Sequence, residues 1–388
     1  MVTMADQRRI MLGKISILQS VPISDRIILT KAWDVETHNL YNQTIREILP
    51  TLIEALEKAG KENYAEVKLK SLRSVIKKLW VDAQKEETFT ILLDFEAFEK
   101  MLFQSNSDYR GHYVHQFDVF LLGYYILNTI LESRKPAASI FNGNSNLTWM
   151  LASTFHDMGY PIQQIDQWFS SFLGTFLKID TVYQIEIEKI VTPVFYDYLK
   201  FISEEHYNLT TEPIAISGQS PTKDWVFHSI LQTNLRKKNH GVISSLLLIH
   251  SLFTKEKTVR SNNWFLNAFP RDVLPACHAI ALHALPQPDL DAIGGISLSK
   301  CPYAFLLALC DAIQDWQRSL GKTDYSELEG IDFDMSGIVP VLTFNINIDT
   351  VAFADKAREL TALEKNLKTD GLLNVVIKQS NGNGEWKL

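Results

Sequence analysis

The sequence predicts a mainly α-helical protein with an N-terminal helical flank and a small C-terminal β-α-β appendage. Three observations carry this expectation. Gly (17) and Pro (13) are few for a chain of 388 residues. Val/Thr-rich alternating runs are scarce, and apolar residues recur at helical spacing over much of the length. With 46% hydrophobic residues, such a chain can bury a large core, because a domain of this size hides roughly three quarters of its unfolded surface. Three segments are expected: an N-terminal helical region over 1–104, a central domain over 105–325 and a small α/β region over 331–388.

From Glu36 to Phe103 the sequence reads as successive amphipathic helices, such as Leu49–Ala59 and Val67–Leu79, separated by the polar turn Gly60–Asn63. This region has one histidine, His38, and reads as a flank that packs on the core or joins copies into a homo-oligomer. Arg8 and Arg9 are not followed by a sustained apolar segment, so no secretory signal is expected. The longest apolar stretches, Val119–Leu131 and Val242–Phe253, span about a dozen residues against the roughly 20 that a bilayer requires. The expectation is a cytoplasmic protein with no membrane partner. Cys277, Cys301 and Cys310 form no Cys-x-x-Cys pair, which argues against a disulfide framework and a thiolate zinc knuckle. Any metal would then be held by imidazole and carboxylate. A formal net charge of -7 argues against a protein that coats long nucleic acid, whereas a small phosphorylated ligand needs only a local basic pocket.

Nine of the ten histidines fall between His112 and His283, mostly in apolar helical stretches. The pieces Thr210–Asp224, Thr254–Asn263 and Pro286–Pro302 read as loops between the helices that carry them. The informative words are Arg-Gly-His-Tyr-Val-His-Gln-Phe (110–117) and Thr-Phe-His-Asp-Met-Gly-Tyr-Pro (154–161). Three more follow: Asn-His-Gly-Val-Ile-Ser-Ser (239–245), Ala-Leu-His-Ala-Leu-Pro (281–286) and Leu-Cys-Asp-Ala-Ile-Gln-Asp-Trp-Gln-Arg (309–318). Ionisable groups inside apolar helices need partners, and a divalent metal satisfies both an imidazole lone pair and a carboxylate charge. Adjacent His156 and Asp157 point about 100° apart on a helix, so both reach one metal only near a helix end. Gly159 and Pro161 are helix stops at that place. Beyond Gly330, Leu342, Phe344, Ile346 and Ile348 alternate with polar residues as a half-buried strand. A helix from Asp349 or Thr350 to Lys368, ended by Gly371, and a second strand over Leu372–Ile377 complete the β-α-β tail.

The order His, His-Asp, His, His, Asp in these contexts resembles the HD superfamily of metal-dependent phosphohydrolases, over roughly residues 109–320. The resemblance implies an HD-domain helical bundle holding one or two divalent ions, chosen among Mn, Fe, Mg, Zn, Co and Ni. It implies that His115, His156, Asp157 and Asp311 bind a first metal. His240 and His283 would complete a second site with Asp157 bridging, and a metal-activated water would be the nucleophile. His112 competes with His115 for the first position, and His278 competes with His283.

The resemblance also directs attention to substrate contacts. Arg110, Lys238 and Arg318 adjoin the ligand words and offer cations to phosphate oxygens. His112, His278 and Tyr160 are further candidates; Tyr160 stands where the His-Asp-Ile-Gly-Lys subgroup has a lysine. The Gly-Tyr-Pro signature of cyclic-di-GMP enzymes is missing from its expected downstream place, and Gly159-Tyr160-Pro161 is not its equivalent. The implied activity is a phosphohydrolase or phosphodiesterase acting on a nucleotide, cyclic nucleotide or short oligonucleotide. The alternative is a nucleotide-sensing regulatory HD module without turnover. His38, His206, His228 and His250 are read as structural, and Trp316, Tyr124 and Tyr125 as core.

Overall fold

The computed structural model describes residues 22–35, 40–59, 64–82, 92–99, 112–133, 135–141, 144–165, 193–210, 224–254, 269–314, 326–348 and 353–388. Among these the protein is mainly helical, with a strand-containing C-terminal region. In chain order the elements are α1 (Ile23–Asp34), α2 (Leu40–Ala59), α3 (Tyr64–Asp82), α4 (92–99), α5 (His112–Glu132), α6 (Ser145–Phe155), α7 (160–165), α8 (Pro193–Thr210), α9 (Asp224–Arg236), α10 (His240–Thr254), α11 (Leu274–His283) and α12 (Gln287–Ile293). There follow β1 (Ile296–Ser297), α13 (Pro302–Gln314), β2 (Ser326–Asp334), β3 (Val341–Ile348), α14 (Phe353–Asn366), β4 (Leu367–Lys368), β5 (Asn374–Gln379) and β6 (Glu385–Lys387). No helix among the described residues is long and apolar enough to cross a membrane. The chain divides into two compact units, the first comprising 1–141, 309–364 and 369–388, the second 142–308 and 365–368.

In the first unit α5 is apolar around almost its whole circumference, with Phe117, Val119, Leu122, Tyr124, Ile126 and Leu127 all buried, as befits a helix enclosed by others. Its N-terminus is met by Glu99 of α4. One carboxylate oxygen accepts the His112 amide at 2.7 Å and the other the Tyr113 amide at 2.8 Å. These amides have no acceptor within the helix, and a negative group is favoured at that end. Lys68 of α3 donates to Asp25 of α1 and to Asp118 of α5, each at 2.8 Å, so one buried ammonium ties three helices. Burial works against its charge, yet the two carboxylates outweigh this and raise its pKa. Burial also pushes the Asp118 carboxyl up to about 7, with Lys68 pulling the other way.

The expected β-α-β tail is present as β3, α14 and β5, with β3 and β5 parallel and the helix as their crossover. Leu342, Phe344, Ile346 and Ile348 are buried in strict alternation, and α14 buries Leu360 and Leu363. The sheet is larger than expected, in the order β2-β3-β5-β6, with antiparallel strands at both edges. The register of β2 shifts between Leu328 and Gly330, so a bulge breaks its period-two pattern and hides it in the sequence. The expected helix to Lys368 instead ends at Asn366, and Leu367–Lys368 belongs to the second unit, paired in parallel with β1. The second predicted strand begins at Asn374.

In the second unit α11 is the central element, with Ala276 to Leu282 all buried. It packs on α6, α8 and α10. Its small residues Ala276, Ala279 and Ala281 permit close approach. At Gly241 of α10 a Cβ would lie 2.6 Å from the carbonyl oxygen of Ile280 and 2.7 Å from Cβ of Ala284. Pro286–Pro302 is not simply a loop: it contains α12, stopped by Gly294 in the left-handed conformation, and β1. The predicted turn Gly60–Asn63 and most of Thr210–Asp224 and Thr254–Asn263 lie outside the described residues.

Replacing Lys68 by Met should destabilise the fold by about 3–5 kcal/mol, because Asp25 and Asp118 would remain buried without their cation. Urea unfolding checks this, and adding Asp25→Asn to that variant should recover part of the loss.

Candidate metal centre

Helix α6 is entirely buried and begins with the Asn144 side chain accepting the Leu147 amide. It ends at Phe155, so His156 is its C-cap and Asp157 lies in the following turn, where the Tyr160 amide donates to the Asp157 carbonyl. Pro161 then sits in the first turn of α7, a place that needs no amide proton. The turn is clamped onto α10: the Gly159 amide donates to Ser244 Oγ at 2.7 Å. A Cβ at Gly159 would stand 2.4 Å from the His240 carbonyl oxygen. Gly159 and Gly241 thus let the His156-Asp157 turn, the start of α10 and the end of α11 come together.

The result within the second unit is a group in which Asp157, His240 and His283 each offer a ligand atom, all within 4.8 Å of one another. His156 lies beside it, its ring centroid 5.2 Å from that of His283. His240 and His283 are 5.3 Å apart by the same measure. The hydrogen-bond partners set the tautomers. His156 Nδ1 donates to the Ser153 carbonyl at 2.8 Å, and His283 Nδ1 donates to the Ile280 carbonyl at 2.6 Å. Carbonyl oxygens only accept, so both protons sit on Nδ1 and both Nε2 atoms carry lone pairs. His240 Nδ1 donates likewise to Gln163 Oε1 at 3.0 Å.

Those lone pairs meet a carboxylate. His156 Nε2 is 3.5 Å from Asp157 Oδ2, and His240 Nε2 is 3.6 Å from Asp157 Oδ1. A lone pair facing an anionic oxygen is repulsive unless a cation stands between them. Ligand atoms 2.0–2.2 Å from one ion, at angles of 90–109°, lie about 3.0–3.4 Å apart. The observed separations exceed that by a few tenths of an ångström. The donor set of imidazole nitrogen and carboxylate oxygen, with Nδ1 protons held by outer acceptors, fits a divalent transition ion.

Within the first unit His115 of α5 and Asp311 of α13, 196 residues apart in sequence, meet at 2.7 Å between Nε2 and Oδ1. His115 is buried, while Asp311 keeps partial exposure. His112, its rival, is fully buried and its Nδ1 lies 3.0 Å from Glu99 Oε1. His278, the rival of His283, turns elsewhere: its Nε2 is 3.0 Å from His206 Nδ1. Burial lowers the pKa of His206 to about 4 and carries that of His278 well below its ordinary value. Tyr160 sets its ring edge-on to His240, with centroids 5.5 Å apart. Lys238 is buried just before His240, at a positive φ of 56°. Arg110, Arg318, Trp316 and His38 lie outside the described residues. Tyr124 and Tyr125 are buried as core, and His228 pairs with Ser203 and Gln232.

Sequence reasoning missed Gln163, which fixes His240, and the His206 partner of His278. Gln163 stands four residues after Gly159 and was legible only as one polar residue of a short helix. The pairing of His206 with His278 has no local signal at all, since 72 residues separate them. No family model, curated protein or solved structure matches the chain.

Gln163→Leu should weaken divalent-metal binding about 10–100-fold, because losing the acceptor of a ligating histidine's Nδ1 proton frees that ring to turn and change tautomer. Isothermal titration with zinc and manganese measures it. Gly241→Ala should reduce metal binding and lower stability by about 1–3 kcal/mol through overpacking against Ile280 and Ala284, read by titration and urea unfolding.

Proposed function

We propose that the protein is an HD-type metal-dependent phosphohydrolase or phosphodiesterase acting on a nucleotide, cyclic nucleotide or short oligonucleotide. The observation that carries this reading is the grouping of Asp157, His240 and His283, with ligand atoms within 4.8 Å of one another and imidazoles turned to present Nε2. Support comes also from the pairing of His115 with Asp311. These are the residues that the motif order singles out, over the competing His112 and His278. In this reading His115, His156 and Asp311 are ligands as well, as the resemblance implies.

A divalent ion held by these residues would supply Lewis-acid polarisation of a phosphoryl oxygen and a lowered pKa for an attacking water. The chain's own groups perform the remaining work. Asp157 is the negative group between His156 and His240, and its charge keeps both imidazoles oriented towards a cation. Ser153, Ile280 and Gln163 hold the three Nδ1 protons, so the ligating nitrogens are preset before substrate arrives. The Tyr160 hydroxyl and the Lys238 ammonium are proposed contacts for phosphate oxygens. Arg110, Arg318, His112 and His278 remain proposed contacts from the sequence; of these His112 and His278 are engaged with Glu99 and His206.

The test is metal analysis of the purified protein with a mass-spectrometric product screen on nucleotides, cyclic nucleotides and cyclic dinucleotides. Hydrolysis should need added divalent metal and fall by about 100-fold or more in Asp157→Ala, since even an outer partner of a ligand is worth 10–100-fold. Equal activity in the variant would remove the hydrolase reading. Bound metal without turnover, together with a nucleotide-induced rise in Tm, would replace it by the sensing module.

A further inference from the structure

A second cluster of metal-ligating groups lies within the second unit, away from Asp157 in chemistry because it contains sulfur. His206 of α8, His278 of α11 and Cys301, which directly precedes α13, each offer a ligand atom, all within 4.8 Å of one another. All three side chains are buried, and Cys301 is in no disulfide. They come from three elements that the chain brings together from 95 positions of sequence (206 to 301).

The geometry is that of a chelate in waiting. His206 Nδ1 and His278 Nε2 stand 3.0 Å apart, and two nitrogens on a tetrahedral ion at about 2.05 Å are about 3.3 Å apart. Opening the pair by a few tenths of an ångström is all that two-point binding requires. The orientations are already fixed by neighbours: His206 stacks on Phe227 with centroids 4.0 Å apart, and His278 meets the same ring edge-on at 5.9 Å. The Cys301 amide donates to the Ser297 carbonyl at 2.8 Å, and its own carbonyl accepts the Phe305 amide at 2.9 Å. An apolar wall and fixed ligands both favour an ion over its hydrated state.

We propose that His206, His278 and Cys301 form a separate binding site for a thiophilic d10 ion, zinc, distinct in its ligand chemistry from the nitrogen-oxygen centre at Asp157. Three protein ligands leave the fourth tetrahedral position for water. Binding takes the thiol proton of Cys301 to solvent and forms one sulfur-metal and two nitrogen-metal bonds. The proton now shared between the two facing nitrogens moves to the outer nitrogen of one ring, so one proton is released per ion. The ion would cross-link α8, α11 and the start of α13. It would also brace α11 five residues before His283, while resting on none of the residues that the hydrolase reading needs.

Cobalt(II) titration of the full-length metal-free protein tests this. A thiolate-to-cobalt charge-transfer band should rise in the near ultraviolet, saturate at one equivalent, be bleached by zinc, and persist in Asp157→Ala. It should vanish in Cys301→Ser and persist in the Cys277→Ser/Cys310→Ser double variant, which assigns the sulfur even if Cys301→Ser fails to fold. Cobalt binding by the wild-type protein with no such band, or a band lost only with Cys277 and Cys310, would overturn the proposal. Absence of hydrolysis on any substrate would leave it untouched, so failure of this site and failure of the hydrolase reading are distinguishable.

Discussion

The candidate centre depends on how closely three backbones approach one another around Gly159 and Gly241. Neither glycine touches a ligand atom in a chemical sense. Each removes a Cβ that would collide with a carbonyl oxygen, at 2.4 Å and 2.6 Å respectively. Because protein interiors are close-packed, such a collision cannot be absorbed by small adjustments spread over the neighbours. Everything downstream follows: the start of α10 beside the end of α11, His240 beside His283, and Asp157 between them. The Gly159 amide bond to Ser244 then locks the turn to the helix.

The second constraint is protonation, set by groups that touch no ion. Three Nδ1 protons are donated outward, two to main-chain carbonyls of the same helix and one to the Gln163 amide oxygen. A histidine that ends a helix can always reach the carbonyl three residues back, so the tautomer of His156 and His283 is a by-product of where α6 and α11 stop. Helix termination and ligand chemistry are therefore one design problem in this protein. His240 begins its helix and has no such carbonyl to use, which is why it alone depends on a side chain from another element.

Local patterns made much of the fold legible. The helical stretches around Leu49–Ala59 and Val67–Leu79, the stop after Phe155 and the β3-α14-β5 tail all follow from periodicity and from Gly and Pro placement. β2 was hidden by its bulge, and the helix in Pro286–Pro302 by its two prolines. At the site, the words His-Asp-x-Gly and His-Gly-x-x-Ser-Ser pointed to the right turn and the right helix because their small residues are the packing contacts themselves. The choice between His112 and His115, or between His278 and His283, was open in the sequence. It is decided by distant partners, Glu99 against Asp311 and His206 against Asp157, which no local spacing encodes.

Helix α11 carries His278 and His283 five residues apart, about 140° around the axis, so its two histidines address two different clusters. A ten-residue helix buried on nearly all sides behaves as a stiff spindle. It cannot roll to improve one set of bonds without loosening the other. Evolutionary change at one cluster is thereby coupled to the other, even though they share no ligand. Sequence drift along α11 should be confined to exchanges that preserve its axial orientation, whichever of the two clusters a given residue happens to face.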